Sequence, residues 1–226
     1  MRDAGANEFD RAEGPSLESE AVILERQGRA FARLPDLRLR PGEAVALTGA
    51  SGSGKTTSLL ALAGVRAPLR GRIVIDGIDI WSLPRAARDR WRGRRIGLVF
   101  QSFHLVDAVS VESNLRLAAS CAGLRPSPSR IALLLEALDI AALRHRRADR
   151  LSQGQAQRVA VARALVNQPA VVLADEPTSA LDDGNAAALL DLLADAARTS
   201  GAALLIATHD RRVLDRVGDV IAMAAA

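Results

Sequence analysis

Four short runs of the chain are apolar almost without interruption: AVALTG (44–49), IGLVF (96–100), AVVLA (170–174) and ALLIAT (203–208). Apolar runs of this length, lacking polar alternation, fit central parallel strands covered on both faces. Helical patterns lie between them. TTSLLALAG ends in a glycine suited to stopping a helix. AQRVAVARALV sets Val159, Ala162, Leu165 and Val166 on one side, with Arg158 and Arg163 elsewhere, and NAAALLDLLADAART is a further strong helix pattern. Strands alternating with helices predict an α/β fold with a parallel sheet. Residues 20–40 and the segment 72–80, with IVIDGIDI, alternate instead; they predict a small antiparallel sheet with Asp76-Gly77 as a turn. From Ser102 to Val166 no strand pattern occurs. Helical pieces such as LLLEALDI, broken by RPSPS (125–129), predict an α-helical subdomain at 102–166 inserted into a sheet core at 20–101 and 167–226. Residues 1–19 are polar, lack the apolar centre of a signal peptide, and read as a disordered tail.

Composition narrows the class. At 226 residues and 49% hydrophobic, the chain suits one domain with a well-buried core. Cys121 is the single cysteine, so no internal disulfide can form. No charge-free apolar run reaches the roughly 18 residues of a membrane span, and a cytoplasmic protein is expected. Net charge is +4, and basic residues gather in RDRWRGRR (88–95) and RHRR (144–147). Such patches suit nucleic acid, an anionic membrane surface, or simply solvent. No nucleic-acid motif accompanies them and aromatics are only 3%, so no nucleic-acid partner is expected. His104 and His145 lack metal-ligand spacing and read as surface or packing residues. Trp81 and Trp91 read as core contacts beside a basic helix.

The polar residues that end the four strands carry the chemistry. Lys55 with its glycines, Gln101, Asp175 with Glu176, and His209 each follow one apolar run. In a parallel sheet the carboxyl ends of the strands share one edge, where ligands bind. GASGSGKT (49–56) matches G-x-x-x-x-G-K-[ST] between a predicted strand and a predicted helix. Gly49, Ala50, Ser51, Gly52, Ser53 and Gly54 would turn backbone N–H groups around phosphate oxygens, aided by the helix N-terminus. Lys55 would reach the β and γ phosphates, Thr56 would bind Mg²⁺, and Thr57 would meet the α phosphate. Of 30 Lys plus Arg, every one except Lys55 is arginine. A tight loop needs the compact ammonium rather than a planar fork. Asp175 can hold Mg²⁺ and Glu176 can orient or deprotonate the attacking water.

With LSQGQAQR (151–158), SALD (179–182) and ATHD (207–210), these motifs resemble, in order, those of the ATP-binding cassette (ABC) ATPases, from about residue 20 to the C-terminus. The resemblance implies a P-loop NTPase (RecA-like) core with antiparallel β and α-helical subdomains. It also implies ATP and Mg²⁺ as ligands, and a homodimer sandwiching two ATPs head to tail. Ser152, Gly154 and Gln155 would serve the nucleotide of the other subunit, and Asp182 would lie across the seam. Gln101 would contact Mg²⁺ and the attacking water; His209 would hydrogen-bond the γ phosphate. Gln153 stands where the family's signature has its first glycine. The family stacks adenine on an aromatic residue, often tyrosine. This chain has no tyrosine, Phe31 sits close to the glycine loop, and Arg26 can stack instead. LVFQSFHLVDAVSVESNL (98–115), with Ser110 and Glu112, and LDDGNA (181–186) resemble the subclass working in lipoprotein release, macrolide-type efflux and cell division. The implied role is the ATPase subunit of a transporter with a separate membrane permease, placed on the cytoplasmic face of the inner membrane. A mechanical signalling ATPase of a cell-division-type complex, or a soluble ABC ATPase, are the alternatives.

Overall fold

The computed structural model describes residues 14–179 and 181–223. Its strands are β1 (Leu17–Arg26), β2 (Arg29–Arg33), β3 (Leu37–Leu39), β4 (Ala44–Thr48), β5 (Arg70–Ile75), β6 (Ile78–Asp79), β7 (Ile96–Phe100), β8 (Val171–Asp175), β9 (Ala203–Ala207) and β10 (Val220–Ala222). Its α-helices are α1 (Lys55–Leu62), α2 (Arg85–Arg95), α3 (Val111–Cys121), α4 (Pro128–Ala137), α5 (Gln153–Leu165), α6 (Asp183–Ser200) and α7 (Arg211–Val217).

Two sheets result. One runs β10-β4-β9-β8-β7 and its pairings are all parallel. The other pairs β2, β1, β5 and β6 in order, with β3 also on β1, and is antiparallel. The four expected central strands are present. β10 is the addition: three residues give too short a run to announce a strand, and pairing with β4 makes it one. The antiparallel sheet forms where alternation predicted it. Asp76 (φ 49) and Gly77 (φ 78) make its two-residue turn, with Ile75 opposite Ile78; both positions need the left-handed region that the primed hairpin turns require. The tail expected over 1–19 does not extend to residues 17–19. Leu17, Glu18 and Ser19 belong to β1 and pair with both β3 and β5, because the buried Leu17 side chain adds to the core. Residues 1–13 of that tail lie outside the described residues.

Strand alternation divides the interior into two clusters. Leu173 and Leu205 point toward β1, β5 and α1, joining Leu24, Ile73, Leu59 and Leu62. Val172, Leu204 and Ile206 point the other way, joining Leu115, Ile131, Leu135, Val159, Leu189 and Leu193. Helices α3 to α5, with two short 3₁₀ turns, fill the expected helical segment, and their core is continuous with that face of the sheet. α5 lies so close to β7 that a Cβ on Gly97 would stand 2.5 Å from the Ala164 carbonyl oxygen. Trp91 is buried within α2, and Trp81 packs on the first cluster while donating its indole N–H to the Ala61 carbonyl.

Candidate functional site

The register of the parallel sheet builds the site. Phe100 pairs with Asp175, Asp175 with Ala207, and Leu47 with Ala207, so four strand ends form one row. The residues that follow (Thr48-Gly49, Gln101, Glu176, Thr208-His209) therefore leave the sheet at a common edge. Gln101, Glu176 and His209 meet there around a cavity of about 370 Å³.

One wall is the glycine loop. Gly52 (φ 79) and Gly54 (φ 101) take left-handed conformations that side chains resist. Gly54 is the N-cap of α1 and offers no side-chain cap, so the first N–H groups of α1 are left for an anion. A Cβ on Gly49 would come within 2.7 Å of Ser53 Oγ and 3.2 Å of Met223 Cβ, so a side chain there would have to displace its neighbours. The backbone N–H of Ser53 donates to the Ala50 carbonyl. Lys55 is buried, and its ammonium donates to the carbonyls of Gly49 (2.8 Å) and Ala50 (3.2 Å). Ser51, Gly52, Gly54, Lys55, Thr56 and Thr57 all line the cavity.

The opposite wall is acidic. Thr56 Oγ1 donates to Asp175 Oδ1 at 3.3 Å, joining loop to strand β8. Burial holds the Asp175 carboxyl above its ordinary value, opposed by the Thr56 hydroxyl; a cation beside it would offset that burial. Glu176 sits at φ 45, in a left-handed conformation uncommon for a side chain of its size. Its carboxylate accepts from Thr208 Oγ1 (2.9 Å), contacts His209 Nδ1 (2.7 Å), and lies 3.9 Å from the Lys55 ammonium. Gln101 faces the cavity from the end of β7.

Arg26 and Phe31, from β1 and β2, complete the rim, with the Arg26 guanidinium 5.2 Å from the ring centroid. Phe31 is packed against Gly54, where a Cβ would meet its ring at 3.3 Å, so the closeness expected from sequence is observed. Sequence reasoning did not single out Ser179, Thr208, Thr178 or Arg212. Ser179 lines the cavity. Thr178 donates to Asp210, and Arg212 ties Asp210 and Asp183 to the Thr178 and Leu181 carbonyls. The Arg212 guanidinium holds the Asp210 carboxyl down at about 2. No local pattern marks such a clamp, since its partners lie about thirty residues apart in sequence.

Four expected residues stand apart from this cavity. Ser152 caps α5, accepting from the Gln155 N–H, while the Gln155 side chain accepts from the Ser152 N–H in a reciprocal capping box. Gly154 follows in the first turn, where a Cβ would meet nothing within 4 Å. Asp182 caps α6, and the backbone N–H of Asn185 lowers its carboxyl. None of these four lines the cavity.

Comparison with known proteins agrees with this geometry. The family model described as "ABC transporter" matches residues 34–179. The lipoprotein-releasing system ATP-binding protein LolD of Anaeromyxobacter dehalogenans is 42% identical over 189 residues, 82% of this chain and 79% of that protein. The methionine import ATP-binding protein MetN of Mesorhizobium japonicum is 37% identical over 92% of this chain, which spans only 59% of that longer protein. Among solved structures, cbiO1 from Clostridium perfringens, part of the ABC transporter complex cbiONQ, superposes with a TM-score of 0.82 at 30% identity, covering 93% of this chain and 85% of its own. The dimeric cassette MJ0796, in a post-hydrolysis state with ADP and Pi, gives 0.78 at 29% identity, covering 92% and 94%. The chain thus belongs to the ABC transporter family, as an ATP-binding and ATP-hydrolysing cassette that works with membrane permease subunits.

Proposed function

We propose that the chain energises a permease of the lipoprotein-release class at the cytoplasmic face of the inner membrane, hydrolysing ATP with Glu176 as general base. The observation that carries this reading is the single row of strand ends, with Lys55, Gln101, Glu176 and His209 around one cavity and Asp175 hydrogen-bonded to the cavity-lining Thr56. The triphosphate lies along the uncapped start of α1. Lys55 exchanges its two carbonyl partners for β and γ phosphate oxygens, and Thr57 meets the α phosphate. Thr56 and Asp175 offer adjoining oxygen donors of the kind Mg²⁺ takes, with Gln101 nearby. The metal, when bound, would neutralise charge on the transferring phosphoryl group. Glu176 takes a proton from water, held in place by Thr208 and His209. Arg26, backed by Phe31, offers a flat cationic face to the base.

The placement of Ser152, Gly154, Gln155 and Asp182 away from the cavity supports a second copy as the source of these groups. In a head-to-tail dimer the rigidly capped start of α5 closes the partner's nucleotide site. A groove of about 330 Å³ between β7, α3 and α5, lined by Phe100, His104, Ala118 and Asn167, suits a short permease helix. Arg163 ties this groove to the cavity side by donating to the Phe103 and His104 carbonyls just after Gln101. The lipoprotein-release assignment rests on LolD relatives at 39–42% identity.

The test is Glu176→Gln. Turnover should fall about 10²–10⁴-fold, ATP affinity should hold, and an ATP-dependent dimer should accumulate in sizing chromatography. Undiminished turnover would remove Glu176 as the base.

A further inference from the structure

Helix α2 carries six arginines and one acid in eleven residues. Two of the arginines are matched by carboxylates: Arg92 by Asp89 at 2.8 Å and Arg95 by Asp76 at 3.1 Å. The other four, Arg85, Arg88, Arg90 and Arg94, have no carboxylate within ion-pair distance among the described residues. Arg88 stacks on the Trp81 ring at 4.3 Å and Arg94 donates to the Ala122 carbonyl, so both guanidinium groups are held in place while keeping their charge uncompensated. Arg85 and Arg90 are exposed.

The charge borders an apolar groove. Ala87, Arg90, Trp91 and Arg94 recur at the i, i+3, i+4, i+7 spacing of one helix face, and with Ile78 and Leu83 they enclose about 240 Å³. Its floor is aliphatic and indole, and its rim is two guanidinium groups. A solvated surface needs no such floor, and a nucleic-acid surface calls for polar or stacking groups rather than Ile78 and Leu83. An anionic phospholipid fits both parts: Arg forks bind the phosphate, and the glycerol and first acyl carbons cover the floor.

We propose that α2 and its groove form a docking surface for anionic phospholipid headgroups, holding the subunit against the membrane independently of the permease. The inference extends the membrane-docked reading above. Arg92 and Gly93 of the same helix line the groove assigned there to the permease, so the two surfaces flank one helix.

The isolated chain tests it. Trp81 and Trp91 are the only tryptophans and the chain has no tyrosine, so its intrinsic emission reports on this surface. Vesicles of equal parts phosphatidylglycerol and phosphatidylcholine should pellet the protein and shift its emission to the blue at low salt. Pure phosphatidylcholine should do neither, and added salt should release the protein. Replacing Arg90→Gln and Arg94→Gln together should weaken binding about thirty-fold, from roughly a five- to six-fold step per arginine near a charged surface. Arg29→Gln with Arg33→Gln, an equal charge change on β2, should leave it nearly unchanged. If Arg94→Gln disturbs folding, Arg85→Gln with Arg90→Gln removes only exposed cations. Equal pelleting by uncharged vesicles, equal losses in the α2 and β2 variants, or preferential binding of duplex DNA over anionic vesicles would each overturn the proposal. ATP turnover does not enter these readouts, so failure here leaves the hydrolytic assignment standing.

Discussion

Arg95→Met should unfold the protein far more easily than its distance from the nucleotide suggests. Arg95 Nε lies 3.1 Å from Asp76 Oδ2, and both side chains are only 7% exposed. The pair joins the turn of the β5–β6 hairpin to the end of α2, immediately before β7 begins. Methionine keeps much of the packing on Trp91, which Arg95 covers at 5.5 Å. It removes the charge, leaving the Asp76 carboxylate buried without its partner. Breaking one side of a buried pair costs about 3–5 kcal/mol, against a total stability of about 5–15 kcal/mol. For a chain of this size that corresponds to a fall in Tm of roughly 6–20 °C. Asp76→Asn, which the left-handed turn position tolerates, should also destabilise by removing the buried charge that faces Arg95. The double variant should recover much of the loss, because removing both charges also removes their desolvation penalty. Urea midpoints of the four proteins give the coupling directly. Additive losses, or single losses under about 1 kcal/mol, would refute the idea that this pair is an energetic tie between the two sheets.

Three further outcomes follow from the geometry. Lys55→Ala should weaken ATP binding about a hundredfold or more by titration calorimetry, since two charge-assisted hydrogen bonds to phosphate are lost; unchanged affinity would remove Lys55 from the phosphate site. Glu112 is lowered from 4.5 to about 2, chiefly by Arg144 and also by Arg116, against the effect of burial. Its contribution to stability is therefore full above about 4.5 and fades as pH falls through about 2, so Glu112→Gln should cost most at neutral pH, and the gap in Tm should close toward pH 2. A gap independent of pH would contradict the ion-pair account. Gly97→Ala should destabilise by about 1–3 kcal/mol, because its Cβ would meet the Ala164 carbonyl oxygen at 2.5 Å and push α5 off β7. In a Glu176→Gln background it should also reduce the ATP-dependent dimer seen in sizing chromatography, since α5 carries Ser152 and Gly154; normal dimer would uncouple α5 position from closure.

The chain alone determined the elements whose physics is local. Continuous apolar runs marked β4, β7, β8 and β9, and Asp76-Gly77 marked the hairpin. G-x-x-x-x-G-K-T marked the phosphate loop, because each of its glycines meets a steric need that a reader of sequence can name. Only the tertiary structure decided what depends on meeting at a distance. Three residues became β10 because β4 offered an unpaired edge, and Leu17 to Ser19 became strand because β3 and β5 flank them. Thr208 and His209 became the partners of Glu176 because Asp175 and Ala207 share a register position across the sheet. Arg212 gathered carbonyls and carboxylates from segments that no periodicity connects. Local propensity and steric rules act within a few residues, so they can be read along the chain; hydrogen bonds and ion pairs between strand ends exist only once packing has fixed the register.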